Sequence, residues 1–135
     1  KVETIQNLTG KKKKNILEIK KLTDLNSMIF INKGNKFDKT TLPFEAQWSS
    51  INDFYWDKET KEIFYVGNSE EFVTELGVQS ANPGGIIQFD DHAIHKEFLP
   101  LPIKLNLRKV IKLNNQNMLL IANDDYMYIL KRIND

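Results

Sequence analysis

The chain has 135 residues, 41% hydrophobic and 27% charged, with a net charge of +1 and no cysteine. That is enough for one domain with its own core, and it excludes a disordered chain. It also excludes disulfides, a thiolate nucleophile, Cys-ligated zinc and any bulk electrostatic pull toward nucleic acid or membrane.

From the N-terminus, Lys1 stands without an initiator Met or a signal-peptide apolar region, so the sequence reads as a mature or trimmed piece. Asn7-Leu8-Thr9 matches a glycosylation sequon that chance produces often. The run Lys11-Lys12-Lys13-Lys14 has no interleaved aromatic residues to stack on bases. It reads as a solvated turn, with an anionic patch as the alternative. No nucleic-acid partner is expected, and no apolar run approaches the ~20 residues that cross a bilayer.

Short β-type runs follow one another to the C-terminus. Ile16-Leu17-Glu18-Ile19 alternates apolar with polar, and Met28-Ile29-Phe30-Ile31 ends in Asn32-Lys33-Gly34-Asn35. Then come 51–56, 63–66, 85–89, 110–113, 118–121 and 126–130, each β-branched or aromatic and bounded by turn residues. The best helical candidate is 69–76, where Ser69 caps, Glu70 and Glu71 occupy the first turn, and Phe72, Val73 and Leu76 share a face. Glu70, Glu71 and Glu75 complement a helix dipole more simply than they form a catalytic pair.

The runs form a repeat. Residues 16–22 are expected to pair with 28–32, 62–68 with 85–90, and 118–123 with 126–131, a period of roughly 50 residues. Further strands at 51–56 and 108–113 precede the second and third pairs. Phe37 through Leu42-Pro43 and Phe98 through Leu99-Pro100 suit outer edge strands or their exits, because proline cannot donate to a ladder. The fold class is therefore all-β, built of four-stranded antiparallel propeller-type blades. Residues 1–47 form an incomplete blade, 48–101 a complete one, and 102–135 a last blade lacking its outer strand.

Two sets of side chains are candidates for chemistry. Trp48, Tyr55, Trp56, Phe64 and Tyr65 gather around one hairpin, and alternation puts Phe54 and Trp56 on one face with Tyr55 on the other. They read as packing between tilted sheets; the functional alternative is a ligand-binding surface of Trp48, Tyr55, Trp56 and Tyr65 for sugar or protein. His92 and His95, beside Asp90 and Asp91, lie in what reads as a polar loop without a third fixed ligand. No nucleophile elbow, HExxH or P-loop pattern is present. No enzyme activity is expected.

In their order, Leu42-Pro43-Phe44-Glu45-Ala46-Gln47-Trp48-Ser49, Ile63-Phe64-Tyr65-Val66-Gly67-Asn68 and a strand opening at Gly85 resemble FG-GAP/VCBS-repeat β-propellers. Leu107-Arg108-Lys109-Val110 and Leu120-Ile121-Ala122-Asn123-Asp124-Asp125 are similar to the last blade of members with an ASPIC/UnbV-like ending. The resemblance implies an exported or surface-exposed protein, of Bacteroidetes type and outer-membrane associated, with a binding or scaffolding role. The implied partners are another protein or remaining propeller blades, with glycan as the alternative. It also implies a calcium loop before the hairpin strand. Here the ligand positions fall on Phe54, Trp56 and Lys58, which offer no suitable oxygens, and the glycine position holds Glu59. The acids nearby, Asp53, Asp57, Glu59 and Glu62, lack the alternating spacing, so no metal and no cofactor is expected.

Overall fold

The computed structural model describes residues 17–18, 20–69, 77–78, 80–89, 94–102 and 104–132. The strands among them are β1 (Met28–Asn32), β2 (Phe37–Thr41), β3 (Ile51–Asp57), β4 (Glu62–Gly67), β5 (Gly84–Phe89), β6 (Ile94–Pro100), β7 (Leu107–Lys112), β8 (Asn117–Ala122) and β9 (Met127–Lys131). They form three antiparallel sheets in the orders β1-β2, β3-β4-β5-β6 and β7-β8-β9. The fold is all-β. Each sheet is a meander of neighbours in sequence, so its turns are local.

The middle sheet has the strand order expected over 48–101, and the last sheet has the three strands expected over 102–135. The first pairing differs. Met28–Asn32 is joined to Phe37–Thr41, with Met28 opposite Thr41 and Asn32 opposite Phe37. Residues 17–18 and 20–25 hold no strand, and Leu17 and Leu22 are exposed; Ile16 and Ile19 lie outside the described residues. Loop closure explains the choice. Gly34 takes φ 87°, its N–H donates to the Asn32 carboxamide, and the tight turn closes β1 onto the next segment at small entropic cost. The expected helix at 69–76 falls outside the described residues after Ser69, and His92 likewise. His95 stands in β6 rather than in a loop, because the backbone pairing of β5 extends to Phe89 opposite Ile94.

Strand alternation gives the middle sheet two working faces. Phe64 and Val66 point into a core shared with Leu107, Val110, Met118, Leu120 and Ala122 of the last sheet. Tyr65 and Ile87 point the other way and pack with Ala46, Leu42 and Ile51. β4 is thus covered on both sides, which is why its burial runs almost unbroken while β8 alternates. Between β2 and β3 the chain makes a 3-10 turn, Phe44–Gln47, which places Ala46 in that second cluster.

Gly84 must be glycine for two reasons. Its φ is 147°, and a Cβ there would collide with the Tyr65 carbonyl oxygen of the paired strand. Gly34 has a positive φ but open space around it. Gly84→Ala should therefore cost at least about 2 kcal/mol in urea unfolding, whereas Gly34→Ala should cost about 1 kcal/mol. Equal losses in the two variants would contradict the close approach of β5 to β4.

Candidate functional site

Asn68 and Asn82 are buried where the sheets meet. The Asn82 carboxamide donates to the Glu45 carbonyl at 2.7 Å and to the Tyr65 hydroxyl at 2.8 Å, and it accepts from the Gly84 N–H at 3.0 Å. The Asn82 N–H donates to the Asn68 carboxamide oxygen at 3.0 Å, and Asn68 Nδ2 donates to the Leu105 carbonyl at 2.9 Å. Asn52 Nδ2 bridges the carbonyls of Asn68 and Leu107 at 2.7 and 2.8 Å. Irregular backbone near the sheet junctions is thereby satisfied by carboxamide side chains. Asn68 takes φ 75°, a conformation asparagine tolerates better than most residues.

Three carboxylates cross from the middle sheet to the last. Asp53 accepts from the Val110 N–H at 3.1 Å and lies 3.4 Å from the Lys109 ammonium. Asp57 uses Oδ1 for the N–H groups of Glu59 and Thr60 in its own turn, and Oδ2 for Lys112 Nζ at 2.8 Å. Glu62 meets the Arg132 guanidinium with both oxygens, at 2.7 and 2.8 Å. The Lys112 ammonium also lies 5.8 Å from the centre of the Tyr55 ring. Asp57, Lys112 and Arg132 line a cleft of about 200 Å3 with Phe64 and Met118 between the two sheets. The Lys112 hydrogen bond holds the Asp57 carboxyl below its ordinary pKa, and the Arg132 fork does the same to Glu62. Asp53, Asp57 and Glu62 therefore join sheets, while Glu59 is exposed.

The aromatic residues expected around the hairpin divide between surfaces. Tyr55 packs beside Phe64 against the core shared with the last sheet. Trp56 lies on the opposite face, where it lines a groove of about 790 Å3 with Phe54, Ile63, Tyr65 and residues of β1. Tyr65 is only 2% exposed, and burial pushes its phenol up to about 12 despite the Asn82 hydrogen bond. Trp48 sits just after the 3-10 turn, half exposed, with its ring edge-on to Phe44 at 6.0 Å. The four residues Trp48, Tyr55, Trp56 and Tyr65 thus do not form one ligand-binding surface. Phe44 and Asn82 were not among the sequence candidates. Phe44 could have been found from its spacing of four from Trp48, and Asn82 only from its place before Pro83-Gly84.

Among the described residues, no group of three or more His, Asp or Glu side chains converges as a metal site, and no helix is long and apolar enough to cross a membrane. The chain matches no family model, no curated protein and no solved structure.

Two outcomes follow from this geometry. Asn82→Ala removes the hydrogen bonds to the Glu45 carbonyl, the Tyr65 hydroxyl and the Gly84 N–H, so unfolding by denaturant should show a loss of about 2–4 kcal/mol. Tyr65→Phe should lose about 1 kcal/mol. The carboxylate clamps add a pH dependence. Asp57 and Glu62 have lower pKa values folded than unfolded, so their stabilisation is full above about pH 5 and is lost as pH falls through the folded values. Melting temperature should decline across that acid range, and the decline should be shallower in Lys112→Met/Arg132→Met. An unchanged acid slope in the double variant would contradict the clamps.

Proposed function

We propose that the chain is a non-catalytic binding or scaffold module, built of propeller-type blades, that acts by protein–protein contact in an exported or cell-surface bacterial protein. The observation that carries the binding role is the outward face of the last sheet. Ile111, Met127 and Ile129 are exposed there at 44%, 67% and 67%, around Leu119 and Ile121. A contiguous apolar face of this kind is what a protein partner covers. The blade-type architecture is supported by the equivalence of successive sheets. β3 and β7 open with the same irregularity in register, between Ile51 and Asp53 and between Leu107 and Lys109. β2 and β6 also leave through the same device, an N–H of Leu42 or Leu101 donating back to the carbonyl of Ser27 or Gly84. Export and an outer-membrane association rest on the FG-GAP/VCBS resemblance alone. A non-catalytic role is supported by the pairing of Asp53, Asp57 and Glu62 with Lys109, Lys112 and Arg132 across the two sheets.

The second reading, a carbohydrate-binding accessory, is favoured by one observation: the exposed Phe44–Trp48 pair offers a ring face of the kind sugars stack on. A glycan array probed with the chain and with Trp48→Ala decides between the two. The protein-binding reading expects no glycan retained by either. Retention by the parent chain that disappears in Trp48→Ala would replace that reading with the carbohydrate one.

A further inference from the structure

The observed junction between sheets shows what the outer face of the last sheet, exposed among the described residues, does not take. In the shared register, Asp53, Tyr55 and Asp57 of β3 correspond to Lys109, Ile111 and Leu113 of β7 and its extension, and Glu62, Phe64 and Val66 of β4 to Asn117, Leu119 and Ile121. The first set is the surface on which the last sheet itself rests, and its acids hold Lys109, Lys112 and Arg132. On the outer face, Leu113 and Asn117 stand where Asp57 and Glu62 would be. That face carries Lys109, Leu113 and Asn117 where the inner junction has its three carboxylates, so a basic sheet like β7-β8-β9 presented from its inner side finds no acid there.

The outer face is apolar at its centre and charged with opposite signs at its two ends. Ile111, Leu119 and Ile129 form one row, and Ile121 and Met127 the next. Lys131 stands at the end beside the β7–β8 turn, and Asp124 stands in the β8–β9 turn at the other, whereas the Asp125 carboxylate is held by the Tyr128 hydroxyl of the inner face. Lys109 on the same face turns aside to Asp53. A surface of this pattern complements itself when inverted.

We infer that the outer face of β7-β8-β9 binds the same face of a second copy of this chain, related by a two-fold axis that runs across the strands. β9 then lies over β9 with its direction reversed. The Ile111-Leu119-Ile129 row of one copy rests on the Ile121-Met127 row of the other, and Lys131 of each copy meets Asp124 of its mate. Three strands at about 4.8 Å spacing and about 3.3 Å per residue make a face of roughly 14 Å by 20 Å. That is small among specific interfaces, so the dimer forms in the micromolar range or weaker. This inference rests on the protein-binding reading above and supplies its partner.

Sedimentation equilibrium from about 10 µM to about 1 mM tests it. The apparent mass is expected to rise toward twice that of the chain, and Ile129→Lys, at an exposed position that leaves the core intact, should hold it at the monomer value. A monomer throughout the parent's range overturns the inference. So does a dimer that Ile129→Lys leaves unchanged, provided circular dichroism and melting show the variant folded. The inverted orientation has its own readout because the chain is free of cysteine. When Met127→Cys and Ile129→Cys chains are mixed under mild oxidation, the mixed disulfide between the two variants is expected to dominate. Each variant carries a single cysteine, so every disulfide formed joins two chains. Homodimers alone, or no crosslink, would overturn the inverted arrangement. Glycan retention on the array and absence of a dimer are separate results, so the failure of one reading is not mistaken for failure of the other.

Discussion

The Asn82 carboxamide makes three hydrogen bonds in a place only 4% exposed, and each goes to a different part of the chain. One reaches the 3-10 turn that leads into β3, one the phenol in the middle of β4, and one the N–H that opens β5. Through its own N–H, Asn82 reaches Asn68, and through Asn68 it reaches the segment that leads into β7. Sheets attract one another through their apolar faces, but that attraction is non-directional. The register of one sheet on the next is fixed by these polar links, since a slip of one residue would strand buried donors and acceptors. Asn52 has the same task between Asn68 and Leu107.

Around that polar centre the two junctions of the middle sheet are built differently. The junction with the last sheet combines an apolar core with three carboxylates at its border, so it carries both hydrophobic stabilisation and orientation. The face toward β1 has a smaller buried cluster, Ala46, Tyr65 and Ile87, and a wide groove floored by Phe54 and Trp56. The Ser27–Gln47 contacts supply orientation there: the Gln47 side chain accepts from the Ser27 N–H and donates to the carbonyls of Ser27 and Leu42. Neutral carboxamide bonds thus take the place that ion pairs hold at the other junction.

Much of this was legible in the sequence because it is local. Tyr126 to Leu130 alternates on one face of a hairpin, and Asp57-Lys58-Glu59-Thr60-Lys61 is turn chemistry between two aromatic strands. Their pairing follows from short loops. β2 was legible only as an edge segment leading to Leu42-Pro43, since Phe37-Asp38-Lys39-Thr40-Thr41 has one large apolar side chain and that one is exposed. Its strand identity comes from the edge β1 offers. The apolar alternation at 16–19 was a stronger signal, yet β1 closed onto its nearer neighbour. The candidate site was less legible for a related reason. Period-2 alternation correctly separated Tyr55 from Phe54 and Trp56, but proximity in sequence suggested one aromatic surface where the sheet has two faces. Asp53, Asp57 and Glu62 looked like remnants of a metal loop, because their partners Lys109, Lys112 and Arg132 lie 55 to 70 residues away.

The Glu62–Arg132 fork has a consequence for how the protein comes into being. It spans 70 residues and joins the first residue of β4 to the last described residue of the chain. On a ribosome, the middle sheet can close its own hairpins as it emerges, since each is local. Its Phe64–Val66 face, however, stays uncovered until β7 and β8 follow, and Glu62 waits for Arg132 to clear the exit tunnel. Folding of this chain is therefore vectorial only up to the middle sheet. Its final step is a long-range docking of the slow, high-contact-order kind, completed only after Arg132 is free of the tunnel.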